Sequence, residues 1–302
     1  MRYRALGRTG QTLSGITLAI DDETPAALRT ALIYAALEQG VNSFDIGGTD
    51  IAILDDVGPA LASVDRRLLY VSVRLGVGRD GSGQIVRDFS PERLIQVIET
   101  ATARSGLQYI DCALLDDPAG PELSLSSLAA LKAARDEERI RKLGVAGAGP
   151  DIDAYIASKA FDTLVAPYSL TSGWQDRNRL KAAAAVDMSV LGYGYHPANV
   201  RPPVTGATAS GGFLSRLLGA PKAAARSTPS SGYAFLDAIP GWTAEQVCLA
   251  YALTEPGLAS VLVNPRSVDE LEQLAGVPDR DLPSQLPAQI EMARFRAEPG
   301  AA

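Results

Sequence analysis

The chain has 302 residues, 46% of them hydrophobic, 21% charged and 6% aromatic, the composition of a folded globular protein. Its 28 Lys plus Arg against 35 Asp plus Glu leave a net charge of −7, which argues against a groove tracking nucleic-acid phosphates. No apolar run approaches the ~20 residues of a membrane helix, and Met1-Arg2-Tyr3-Arg4 leads into polar residues rather than an apolar signal core.

Taken in chain order, short apolar runs alternate with amphipathic stretches. A strand is expected at Ile16–Ile20. Thr24-Pro25 then opens a helix, with a hydroxyl cap before a proline, and the helix stops at Gly40. Further strands are expected at Asn42–Ile46, Leu68–Leu75, Ile110–Leu115, Lys142–Ala146, Thr163–Pro167, Ser189–Tyr193 and Ser260–Val263. Helical patterns fall between them near 52–63, 90–105, 126–139, 151–159, 178–186 and 243–255, and Ser90-Pro91-Glu92-Arg93 reads as a capped start. Strands alternating with helices of this length pair in parallel through crossovers. Eight such units within ~250 residues fit a closed (β/α)8 TIM barrel better than an open sheet. No Gly-x-Gly-x-x-Gly follows the first strand, so a Rossmann reading has no support. The chain thus reads as an α/β protein, one barrel over 1–302. Residues 196–241, rich in Pro, Gly, Ser and Ala, form a long connection after the seventh strand, where a lid would hang over the active-site face.

Cys112 and Cys248 both sit in apolar stretches, which implies core positions and a reducing, cytoplasmic compartment. The single histidine, His196, is too few for a zinc site built on two or more imidazoles.

Six segments in order resemble one family, the aldo-keto reductases. Leu6-Gly7-Arg8-Thr9-Gly10 is similar to that family's opening hairpin, and Gly40-Val41-Asn42-Ser43-Phe44-Asp45 to its second strand. Leu107–Asp111 resembles its fourth strand and Ile140–Val145 its fifth. Phe161–Leu164 with Pro167-Tyr168 resembles the sixth, and Pro265–Leu271 the cofactor-binding corner after the eighth. The resemblance implies a carbonyl reductase using NADPH with an Asp, a Tyr, a Lys and a His. Carried over, the Asp is Asp45, whereas the Tyr falls on Asp50, the Lys on Arg74 and the His on Asp116. No register error restores the set: no lysine precedes Lys132, no histidine precedes His196, and no tyrosine lies between Tyr34 and Tyr70. The implied cofactor contacts are also replaced, by Ala146, Gly147, Val165, Glu270 and Leu274. Glu270 stands where the family's Arg grips the adenosine 2′-phosphate. Tight NADP(H) binding is therefore not expected, and no cofactor or metal is assigned.

Asp45, Asp50, Arg74 and Asp116 are expected to converge at the carboxyl ends of barrel strands, where barrel enzymes place their chemistry. A second carboxylate about 5 Å away costs roughly 3 kcal/mol at an effective dielectric near 20, which lifts one carboxyl towards about 6. These four residues are accordingly expected to catalyse cofactor-independent isomerisation, dehydration or cyclisation of a small molecule, with Asp50 and Asp116 as acid and base. Tyr193, Tyr195 and His196 are expected to contact the substrate, and Arg201, Arg216, Lys222 and Arg226 to close over an anionic ligand. Two alternatives stand beside this reading. One is a non-catalytic protein binding a small molecule or a protein partner. The other is a divergent NADPH-dependent oxidoreductase with water or Tyr193 as proton donor.

Overall fold

In a β-strand successive side chains point to opposite faces, so a strand lining a barrel sends alternate residues inward and the rest against the outer helices. The computed structural model, which describes residues 1–47, 51–80, 82–197, 200 and 231–297, shows this sorting throughout. Its barrel strands are β3 (Ile16–Ile20), β4 (Ser43–Ile46), β5 (Tyr70–Leu75), β8 (Ile110–Asp116), β9 (Ile140–Ala146), β10 (Thr163–Pro167), β11 (Ser189–Tyr193) and β12 (Leu258–Val263). They pair in parallel in that order, and β12 closes on β3 through Val261–Ile16, Leu262–Thr17 and Val263–Leu18. The expected strands at 16–20, 163–167 and 189–193 coincide with observed ones, and the other five differ only at an end.

Ile16, Leu18 and Ile20 face outward into the large core shared with the helices, as do Phe44, Ile46, Val71, Val73 and Leu75. Inside the barrel, Tyr70, Cys112, Leu114, Val165, Leu191 and Leu262 form a second core. The hairpin β1–β2 (Tyr3–Ala5, Thr12–Ser14) adds Leu6 and Leu13 to that inner core. A buried hydroxyl chain crosses the barrel, with Thr17 Oγ1 donating to Ser43 Oγ at 2.8 Å and 2.7 Å from Ser260 Oγ. Cys112 and Cys248 are both fully buried, as their apolar surroundings implied.

The helices α1 (Ala26–Glu38), α2 (Ile51–Leu61), α3 (Pro91–Ser105), α4 (Leu125–Asp136), α5 (Pro150–Ser158), α6 (Trp174–Ala185) and α7 (Ala244–Ala252) pack outside the sheet, followed by α8 (Val268–Ala275) and α9 (Leu286–Ala297). Ser90 caps α3 as its sequence implied, its hydroxyl accepting from the Arg93 amide. Thr24 does not cap α1. Its hydroxyl donates to Asp21 Oδ1 instead, and Pro25 takes the cap position. On α2, Asp55 pairs with Arg104 and Asp56 with the buried Arg29. Sequence periodicity missed a second hairpin, β6 (Val77–Arg79) with β7 (Ile85–Arg87), because three-residue strands carry no readable alternation. It rises directly from the carboxyl end of β5 after Gly76, whose φ is +90°. Asp50, most of the 196–241 loop and its Arg201, Arg216, Lys222 and Arg226 lie outside the described residues. Among the described residues no helix is long and apolar enough to cross a membrane.

At the α2–α3 crossing, a Cβ on Gly58 would stand 2.3 Å from the Ser105 carbonyl oxygen. Alanine in a helix interior normally stabilises by up to about 1 kcal/mol relative to glycine. Here the neighbour is backbone and cannot yield, so Gly58→Ala is expected to destabilise the fold by about 1–3 kcal/mol in urea denaturation. A stabilised variant would show that the two helices slide apart at little cost.

Candidate active site

The inward positions nearest the carboxyl ends of β4, β5 and β8 are Asp45, Arg74 and Asp116, so strand alternation alone aims them at one another. Arg74 Nε donates to Asp45 Oδ2 at 2.8 Å, and its Nη1 donates to Asp116 Oδ1 at 3.2 Å. Ser72, one inward step below Arg74, donates its hydroxyl to Asp45 Oδ1 at 2.5 Å. Asp45 is 1% exposed and has both carboxylate oxygens engaged, whereas Asp116 stands at the rim with 31% of its side chain exposed. Arg74 is held protonated even more firmly than usual, chiefly by the charge of Asp45.

Asp116 is pushed up from the ordinary carboxyl range, first by burial. Arg74 pulls against that, and repulsion from Asp45 adds only a lesser push. Desolvation therefore dominates at Asp116, and the Arg74 guanidinium lies between it and Asp45; the carboxylate expected to pair with Asp116, Asp50, lies outside the described residues. Tyr193, at the end of β11, is half-buried and electrostatically coupled to Asp117, Arg74 and Asp116. Burial is the main reason its hydroxyl is harder to ionise.

Asp45, Arg74 and Asp116 floor a cavity of about 240 Å³ at the carboxyl face, whose lining does not include Tyr193. Its rim comes from two places the sequence reading passed over. Asp21, Asp22 and Glu23 leave the end of β3, and Val77, Arg79 and Ile85 belong to the second hairpin. The signal for the first group was present, since Asp21-Asp22 directly follows a barrel strand at its carboxyl end, where chemistry collects. Arg79 Nε lies 3.5 Å from Asp22 Oδ2, and Arg79 Nη1 donates to the Gly83 carbonyl at 3.1 Å. The second carboxylate oxygen of Asp22 is buried with no hydrogen-bond partner among the described residues.

Tyr195 and His196 do not line this cavity. Tyr195 donates its hydroxyl to Glu245 Oε1 at 2.7 Å, and His196 Nδ1 lies 3.6 Å from the same oxygen, which ties both rings to α7. Ala146, Val165 and Leu274 are 2–3% exposed and pack in the cores. At Gly147 a Cβ would come within 2.2 Å of Asp117 Oδ1, so the Asp117 carboxylate fills the end of β9. Beyond β12, Asn264 and Arg266 are exposed, and Ser267 caps α8 by accepting from the Glu270 amide. Glu270 Oε2 in turn accepts from the Arg266 amide at 2.7 Å.

Removing Arg74 strands a carboxylate inside the barrel. Arg74→Met is expected to cost about 3–5 kcal/mol in denaturant unfolding, with much of the loss recovered in Asp45→Asn/Arg74→Met. Asp116 binds its proton more tightly in the folded chain, so its contribution favours folding at acid pH and fades as pH rises through its folded pKa. Carboxyl NMR should place Asp116 above the ordinary 3.8 and higher still in Arg74→Gln.

No family model and no curated protein matches the sequence. Solved structures do. The holo form of the aldo-keto reductase from Bacillus halodurans is similar over 97% of this chain and 96% of its own, with a TM-score of 0.78 at 17% identity. The glycerol dehydrogenase from Gluconobacter oxydans covers 99% and 97%, with a TM-score of 0.76 at 19% identity. The apo form of the Bacillus enzyme matches over 97% and 96%, with a TM-score of 0.72 at 16% identity. These likenesses overturn two expectations. Cofactor-independent isomerisation, dehydration or cyclisation, and the assignment of no cofactor, both yield to neighbours that are a reductase and a dehydrogenase, one of them in a holo form. The expectation rested on replaced polar contacts at five positions, whereas the likeness extends over the whole barrel. The chain has the (β/α)8 barrel fold of the aldo-keto reductases.

Proposed function

We propose that this protein is a divergent nicotinamide-dependent oxidoreductase acting on a small organic molecule in the cleft above Asp45, Arg74 and Asp116. The observation that carries the reading is the coincidence of a nearly full-length reductase-type barrel with an open cleft at its carboxyl face.

The residues present fit such a cofactor in part. Tyr193 offers an aromatic face beside the charged floor, and the exposed Arg266 with the capped start of α8 offers a cation and backbone amides to a diphosphate. The acidic Glu270 at that corner suits a free ribose hydroxyl, which can donate to a carboxylate, and repels a 2′-phosphate. When bound, the nicotinamide supplies a hydride. Arg74 holds the Asp45 carboxylate in place from one side while Ser72 holds it from the other, so the floor is rigid before substrate arrives. Asp116, at the rim, is the carboxylate that meets the substrate.

Calorimetric titration tests this. NADH is expected to bind at micromolar concentration and more tightly than NADPH, and Tyr193→Ala to weaken NADH roughly tenfold through loss of aromatic contact. Absence of heat with both dinucleotides overturns the reading.

A further inference from the structure

Resting on that reading, we infer that the substrate is a cation, a small cyclic imine in its protonated or N-alkylated iminium form, rather than a ketone or aldehyde. The first argument is charge. Asp21, Asp22, Glu23, Asp45 and Asp116 line the cavity against Arg74 and Arg79. Both guanidiniums are already engaged, Arg74 by Asp45 and Asp116, and Arg79 by Asp22 and the Gly83 carbonyl. An anionic substrate would have to break these pairs, whereas a cation meets carboxylates on the floor and the rim. The unpartnered, buried oxygen of Asp22 adds an acceptor with no donor in the described structure.

The second argument is the chemistry of the step. Hydride addition to a ketone leaves an alkoxide, a new negative charge that must be neutralised by a proton donor or by cationic and N–H groups aimed at it. Among the described cavity-lining residues there is no tyrosine, lysine or histidine, and a developing oxyanion there would face Asp45 and Asp116. An iminium has the opposite requirement. Its carbon accepts the hydride, the C=N π pair moves onto nitrogen, and a neutral amine results with no proton consumed, the nicotinamide being left in its oxidised form. Carboxylates stabilise the cation that enters. A neutral imine takes its proton from solvent before it enters, so that the species meeting the carboxylates is already the cation. The cavity, about 240 Å³, accommodates a single small ring.

The test uses the full-length protein with three probes of similar size: 1-methyl-1-pyrrolinium, which is permanently cationic, neutral cyclopentanone, and acetate. In calorimetry without cofactor, the iminium is expected to bind at least tenfold tighter than cyclopentanone, with no detectable acetate binding. Asp116→Asn should abolish most of that preference, and Asp22→Asn, at the rim and away from the buried pair, should reduce it several-fold. With NADH added, oxidation at 340 nm should be faster with the iminium than with cyclopentanone and flat between pH 6 and 9, since no proton enters the step. Equal or tighter binding of cyclopentanone or acetate, or faster turnover of the ketone, overturns the inference and leaves the oxidoreductase reading in place. Iminium binding without any dinucleotide binding does the reverse: cation recognition stands and hydride transfer falls.

Discussion

Arg74 is the residue on which the candidate site depends. Its guanidinium stands between a carboxylate buried in the barrel wall and another at the rim, 2.8 Å from the first and 3.2 Å from the second. Burying a charge is costly unless it is paired and hydrogen-bonded. Asp45 satisfies that condition through Arg74 on one oxygen and Ser72 on the other. The guanidinium has five donors in a planar fork, so it can serve two carboxylates on different strands at once. An ammonium, a compact charge on a flexible stem, would not span them with the same directionality.

The consequence is a cleft whose free charge is mostly negative. Positive charge is spent internally, and what faces the cavity is carboxylate-rich. Asp116 feels burial first, then the opposing pulls of Arg74 and Asp45, so its proton affinity is set by the mouth of the barrel rather than by one neighbour. The second hairpin matters here too. It carries Arg79 to the rim, where that residue pairs with Asp22 and links the loop after β3 to the loop after β5. On the opposite side, Asn264 Nδ2 donates to Asp21 Oδ2 at 3.0 Å and ties the corner after β12 to the same rim. The acidic loop after β3 is therefore braced from both flanks.

Much of the architecture could be read from patterning. Eight apolar runs spaced by helical stretches left a closed parallel barrel as the economical arrangement, and Ile16, Leu18 and Ile20 pack outward as such a strand requires. The convergence of Asp45, Arg74 and Asp116 was legible because each ends an inward-facing register on a neighbouring strand. What patterning misjudged were local choices between competing partners. Thr24 had a helix start on one side and Asp21 on the other, and bonds the latter. Tyr195 and His196 directly follow the end of β11, yet Glu245 on α7 draws them away from the cavity. Glu245 lies dozens of residues further along, so no short window contains both partners.

The sequence by itself determined the barrel, its strand boundaries to within a few residues, and the placing of Asp45, Arg74 and Asp116 at the ends of neighbouring strands. These follow from side-chain type and from periods of two and 3.6, which are local properties of the chain. Only the tertiary structure decided that Arg74 separates the two carboxylates, that burial rather than mutual repulsion dominates the Asp116 proton, and that Asp21, Asp22 and Arg79 complete the rim. Distances between strands and the exclusion of water are set by closure of the whole sheet, and no stretch of sequence encodes them alone.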